Sequence, residues 1–179
     1  MTRIDESRPF LPVNIAVLTV SDTRTEADDK SGQTLVERIA EAGHKVAARA
    51  ICKDDQASII AALHRWIADP EVDVVISTGG TGVTGRDVTP EAFQAVYEKE
   101  ISGFGELFRQ LSYAKIGTST IQSRATGGVA GGTYLFAVPG SPSACRDAWD
   151  DILKWQLDNR LRPCNLVELM PRLLEHQAK

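Results

Sequence analysis

Residues 72–93 read VDVVISTGGTGVTGRDVTPEAF: an apolar run, four glycines (Gly79, Gly80, Gly82, Gly85), then Arg86-Asp87-Val88-Thr89-Pro90. A buried strand that feeds a glycine-rich turn and then a helix is how α/β proteins present backbone N–H groups to phosphate. Two familiar patterns overlap here, and neither survives its surroundings. A phosphate loop needs Gly-Lys-Ser/Thr, with the lysine on the phosphates; Gly85 is followed by Arg86 and Asp87. The dinucleotide spacing Gly80-x-Gly82-x-x-Gly85 is met, but that fingerprint belongs to an opening strand–turn–helix unit with an acid after the next strand. This loop follows the third predicted strand, with no such acid behind it. Asp87 is the informative departure. A carboxylate beside a polyphosphate repels it unless a cation lies between, and Mg²⁺ takes one or two carboxylates together with substrate phosphates. Asp87 is therefore read as an acid of a metal-bridged phosphate site. The plainer alternative, a helix-entry cap, is unneeded where Thr89-Pro90 already offers an N-cap and N1 pair.

Working outward, Val13–Val20 is a second apolar run that ends at Ser21-Asp22, and Ser31–Ala42 carries a helical stripe closed by Gly43. Lys45–Ile51 reads as a strand, Gln56–Ala68 as a helix ended by Pro70, and Val72–Thr78 as the third strand. Strand–helix–strand–helix–strand at this spacing predicts crossover units, hence an α/β fold with a mainly parallel central sheet. Beyond it, Glu91–Tyr97 and Gly103–Leu111 read as helical, Ala125–Ala130 and Thr133–Val138 as short strands, and Ser143–Leu157 as a helix. The expected organisation is a loose arm over 1–12, one domain over 13–160 and a tail over 161–179.

In such sheets ligands sit beyond the carboxyl ends of the strands, which is where the polar clusters fall. Asp54 ends the second strand and gains interest from sharing an edge with Asp87; two converging carboxylates suit a metal that bridges phosphates. Ser21, Asp22, Asp29, Ser31 and Gly32 fill the first strand–helix loop. They could hold a phosphate or its metal at a helix N-terminus, although Asp29 or Ser31 as a simple N-cap explains them equally well. Ser123-Arg124 closes a hydroxyl-rich turn suited to an oxyanion. Pro139-Gly140-Ser141-Pro142 is either a second anion nest or a rigid strand-to-helix turn.

Composition bounds the rest. The chain has 179 residues, 42% hydrophobic and 25% charged, with a formal net charge of −4: one soluble domain with no global field to attract nucleic acid. Three separated cysteines (Cys52, Cys145, Cys164) form no metal or disulfide pattern and suit a reducing compartment. No segment has the apolar length of a signal peptide or a membrane span. A cytoplasmic protein is expected. No Gly-x-Ser-x-Gly motif or nucleophile–base pair appears, which disfavours covalent hydrolase chemistry.

Thr19-Val20-Ser21-Asp22, Asp29-x-Ser31-Gly32, Gly79-Gly80-Thr81-Gly82, Arg86-Asp87-Val88-Thr89-Pro90-Glu91-Ala92, Ser123-Arg124 and Pro139-Gly140-Ser141-Pro142 occur in this order. In register, they make the chain resemble the MoaB/Mog family of molybdenum-cofactor biosynthesis proteins, over roughly Ile15 to Leu157. Gly103-Phe104-Gly105-Glu106, Gly117-Thr118-Ser119-Thr120 and Arg162-Pro163-Cys164-Asn165 are similar to the MoaB branch. The resemblance implies a three-layer α/β/α molybdopterin-binding fold, assembled as a trimer or a dimer of trimers. It also implies molybdopterin adenylylation: Mg-ATP gives its AMP moiety to the terminal phosphate of the pterin and releases pyrophosphate. By the same resemblance Asp54 and Asp87 are the catalytic acids, with Mg²⁺ on them, and Ser123 helps bind the pterin. The glycine loop (Gly79, Gly80, Thr81, Gly82), Arg124 and Pro139-Gly140-Ser141 complete the ligand crevice with the first loop. The alternatives are a pterin carrier without turnover and, from a different class, a nicotinamide or nucleotide-sugar enzyme.

Overall fold

The computed structural model describes residues 3–177. Met1 and Thr2 of the arm and Ala178 and Lys179 of the tail lie outside the described residues. In chain order the elements are β1 (Arg3–Ile4), β2 (Asn14–Val20), α1 (Lys30–Glu41), β3 (Lys45–Cys52), α2 (Gln56–Ile67) and β4 (Val74–Thr78). After the glycine loop come α3 (Thr89–Gln94), β5 (Lys99–Glu100), α4 (Ser102–Ile116), β6 (Thr126–Ala130), β7 (Thr133–Val138), α5 (Pro142–Ala148), α6 (Lys154–Gln156) and β8 (Leu161–Arg162). A 3₁₀ segment, Gly117–Gln122, follows α4, and another, Val167–Arg172, closes the tail.

The central sheet has six strands in the order β3-β2-β4-β7-β6-β5. β3, β2, β4 and β7 are parallel; β6 and β5 continue the sheet antiparallel. Alternation along β2 shows why helices must cover both faces. Ile15 and Val17 point to one side, where they pack with Leu35 and Ile39 of α1, Phe104 and Phe108 of α4, and Cys145 and Ala148 of α5. Ala16, Leu18 and Val20 point to the other, against Ile59, Leu63 and Trp66 of α2 and Phe93 of α3. This is the three-layer α/β/α sandwich with a mainly parallel sheet that the strand–helix alternation predicts. The chain runs from β2 to β3 on one side and returns to β4 on the other, so the strand order reverses between β2 and β4. In parallel sheets the ligand crevice opens at such a reversal.

Differences from expectation have local causes. Residues 3–12 do not hang free: β1 pairs antiparallel with β8, Leu11 N–H bonds the Asn159 side chain at 2.9 Å, and the Phe10 ring packs tilted against His44. The reading of a loose arm rested on its polarity, which could not reveal partners 150 residues away. The helix expected over Gly103–Leu111 runs on to Ile116, and a π-helical turn at Trp149–Leu153 interrupts the last long helix. Val88, not Thr89, is the N-cap of α3 and makes no side-chain cap; Thr89 and Pro90 are already inside the helix. Among the described residues, no helix is long and apolar enough to cross a membrane.

Candidate functional site

The glycine loop turns sharply because its glycines leave room for neighbours. Gly79 has φ of 109°, and a Cβ there would stand 2.3 Å from the Val20 carbonyl of β2. Gly80 has φ of 61°, and a Cβ there would stand 2.4 Å from Thr89 Oγ1 and 2.8 Å from Asp54 Oδ1. Loop, β2 end and β3 end thus converge at the strand reversal. A crevice of about 480 Å³ opens beside them; Gly80, Thr81, Gly82, Asp87, Ser123 and the turn Pro139-Gly140-Ser141 contribute to its lining. A second hollow of about 490 Å³ lies across Ser123 and Arg124, toward Arg109 and Glu106.

The two acids differ. Asp54 is partly buried and its Oδ1 has no hydrogen-bond partner. Burial raises its pKa, and the charges of Asp87 and Asp22 add to the rise. The Asp87 carboxylate instead accepts the Thr84 N–H at 2.9 Å and the Thr84 hydroxyl at 2.6 Å. Burial pulls its pKa up, but those bonds, the Gly82 N–H and Arg124 outweigh it, and the net shift is downward. Asp87 closes the loop on itself while remaining at the crevice wall.

Several predicted residues support the site without facing it. Asp29 is 2% exposed. Its oxygens accept from the Gly32 N–H at 2.9 Å, Thr19 Oγ1 at 2.7 Å and Arg49 Nη2 at 3.0 Å, which makes it the N-cap of α1. Ser31 and Gly32 are fully enclosed with it: Ser31 Oγ accepts from Arg24 Nη1 at 2.6 Å, and a Cβ at Gly32 would strike Asp29 Oδ2 at 2.1 Å. For Asp29 the cap reading replaces direct ligand contact, because its enclosed oxygens already accept from Thr19, Ser31, Gly32 and Arg49; Ser31 and Gly32 are enclosed beside it. Arg124 is likewise turned to the protein. Its Nε donates to the Gly82 carbonyl and its Nη2 to the Asp87 carbonyl, both at 2.7 Å, and its Nη1 pairs with Glu91. Its role is to hold the loop. Asp22 accepts the Asp54 N–H and pairs with Arg86, an exposed latch from the first loop to the glycine loop. Ser21 Oγ caps its own turn by accepting the Thr23 and Arg24 N–H groups. Ser141 caps α5.

Three of the six unpartnered buried side-chain polar atoms among the described residues belong to this region: Asp54 Oδ1, Thr89 Oγ1 and Ser123 Oγ. Native folds leave few such atoms, and each asks for an explanation. Thr89 was missed because Val-Thr-Pro reads as a cap. Lys115, which also lines the crevice, was missed because α4 was read too short to reach it; its partner Asp147, paired at 2.7 Å from α5, also lines the crevice but looked like an ordinary exposed helix acid. No group of three or more His, Cys, Asp or Glu side chains among the described residues forms a self-sufficient metal cage. A cation here would need ligand oxygens of its own, as substrate phosphates supply for Mg²⁺.

Comparison with known proteins agrees with this fold. Residues 16–159 match the family model described as a probable molybdopterin binding domain. Molybdenum cofactor biosynthesis protein B of Escherichia coli K12 is 52% identical over 159 residues, covering 89% of this chain and 94% of that protein. A crystal structure of a molybdenum cofactor biosynthesis protein B superposes with a TM-score of 0.85 at 44% identity, over 94% of this chain and 99% of that one. The tungsten cofactor synthesizing protein MoaB of Pyrococcus furiosus aligns at 33% identity and a TM-score of 0.72, covering 94% and 98%.

Proposed function

This chain belongs to the molybdopterin-binding family of molybdenum-cofactor biosynthesis, in its MoaB branch, and from that premise we propose that it adenylylates molybdopterin with Mg-ATP. An oxygen of the pterin's terminal phosphate attacks the α-phosphorus of ATP. The bond from that phosphorus to the bridging oxygen breaks, and pyrophosphate departs with the electron pair. The nucleophile arrives with the substrate, so no Ser, Cys or His nucleophile is needed. What the chain contributes is position and charge.

The observation that carries this reading is the crevice of pterin size between the glycine loop and the Pro139 turn, with Ser123, whose buried hydroxyl is unpartnered, in its lining. We place the pterin in that crevice, with Ser123 Oγ and the Pro139-Gly140-Ser141 turn against it, and the nucleotide phosphates at the Gly80 end. Asp54 fits a magnesium ion there, being an acid with a buried, free oxygen; the ion would neutralise phosphate charge. Asp87 fixes the loop that positions both substrates. A cytoplasmic trimer, or a dimer of trimers, belongs to the same reading. A second reading, a pterin carrier without turnover, draws on one observation: Thr84 already engages the Asp87 carboxylate.

The test is pyrophosphate release from purified protein with molybdopterin and Mg-ATP. Asp87→Ala is expected to lower turnover about a hundredfold or more. Equal turnover of mutant and wild type would remove Asp87 from the chemistry, and failure of the wild type to bind Mg-ATP in calorimetry would leave the carrier.

A further inference from the structure

An anionic ligand needs a cation, and most of those near the crevice are engaged elsewhere. Arg124 is committed to the glycine loop, Arg86 pairs with Asp22, and Arg24 donates to Ser31 Oγ and the Gly140 carbonyl. Among the described residues that line the crevice, Lys115 is the only cationic side chain. It stands near the end of α4, three residues after the buried Ser112, a spacing that puts both on one helix face, and both line the crevice. Two carboxylates, of Asp87 and Asp147, line the same space. A phosphate brought between them without a positive partner would be repelled.

The Lys115 ammonium is held in place. Nζ donates to Asp147 Oδ1 at 2.7 Å, from α5, and to Asp151 Oδ2 at 2.8 Å, from the π-helical turn. Those bonds raise its pKa and keep it charged. An ammonium has three N–H donors, and the two acids occupy two of them. The side chain is 47% exposed and lines the crevice, which leaves the third for a ligand. We propose that Lys115 is the specificity-determining residue for the terminal phosphate of the pterin: its remaining N–H takes the phosphate at the crevice wall, while Asp147 and Asp151 hold the ammonium there. The inference rests on placing the pterin in this crevice and adds to that placement a cation independent of magnesium.

The experiment is calorimetric titration of the full-length protein, without ATP, with molybdopterin and with its dephosphorylated form, for wild type, Lys115→Met and Asp151→Asn. Lys115→Met keeps the apolar stem and removes the charge, so molybdopterin affinity should fall about tenfold. Its affinity for the dephosphorylated pterin should stay within about twofold of wild type, which also shows the crevice to be intact. Asp151 lines a different hollow, with Trp155 and Arg162. Asp151→Asn frees Lys115 from one competing acid and should bind molybdopterin as well as wild type or tighter. Three results overturn the inference while leaving adenylyl transfer standing: unchanged molybdopterin affinity in Lys115→Met, an equal loss for both pterins, or a loss in Asp151→Asn that matches Lys115→Met. A wild type that binds neither pterin overturns the placement of the pterin as well.

Discussion

Asp29 and Asp54 follow neighbouring parallel strands, β2 and β3, and each caught the eye as an acid beyond a strand end. Asp29 is 2% exposed and every lone pair direction is met, by Gly32, Thr19, Ser31 and Arg49. Asp54 is partly buried with one oxygen unmet, and the neighbouring charges are the like charges of Asp87 and Asp22 with Arg86 opposing. Their pKa shifts go in opposite directions. At Asp29 burial pushes upward but the Thr19, Gly32 and Arg49 interactions overcome it; at Asp54 burial is reinforced by the other acids. A carboxylate that the protein satisfies supports the fold, and one that it leaves unsatisfied waits for something outside the chain.

The largest effect that could break this contrast is on turnover. Asp54→Asn keeps the volume and removes the charge, and should lower pyrophosphate release about a hundredfold or more. Asp29→Asn should leave turnover per folded molecule within a few-fold, since its side chain reaches no ligand. If the two variants lose activity alike, the division between supporting and waiting acids fails.

The next effect is on stability, with the ranking reversed. Asp29→Asn leaves the Arg49 guanidinium without its anionic partner beside a buried amide. It should cost about 3 kcal/mol, a fall of roughly 10 °C in melting temperature for a domain of this size. A melt within a degree or two of wild type would show that the network around Asp29 is incidental to the fold.

The sequence made the layers legible because apolar runs and helical stripes are local. The periods of β2, α1, β3, α2 and β4 are set by the residues themselves, and so are the glycines that a left-handed turn requires. It identified Asp54 and Asp87 as acids at one edge but could not separate a satisfied acid from an unsatisfied one. That separation depends on partners that meet only in space: Arg49 for Asp29, Thr84 for Asp87, none for Asp54 Oδ1. Arg124 illustrates the same limit. Its fork suits phosphate and loop carbonyls equally, and the structure spends it on Gly82 and Asp87. Thr89 hid behind Pro90, because a Thr-Pro pair is a good helix entry wherever it stands.

The smallest effect is the most discriminating, because its sign differs between the two acids. Asp54 holds its proton more tightly in the folded chain than at the ordinary carboxylate value of 3.8. Above the raised folded pKa its charge therefore weighs against folding, and that penalty fades as pH falls from the raised value to 3.8 and below. Asp29 has a lowered pKa, so its stabilisation is full above 3.8 and fades as pH drops through the folded value. Asp54→Asn removes the penalty and should raise the melting temperature at pH 7. The gain should shrink toward zero in melts taken at successively lower pH. The loss in Asp29→Asn should also shrink with acid, but only below about pH 3.8 and from the opposite side. If Asp54→Asn lowered the melting temperature at pH 7, the open oxygen of Asp54 would have to be satisfied in solution, and the contrast between the two acids would lose its physical basis.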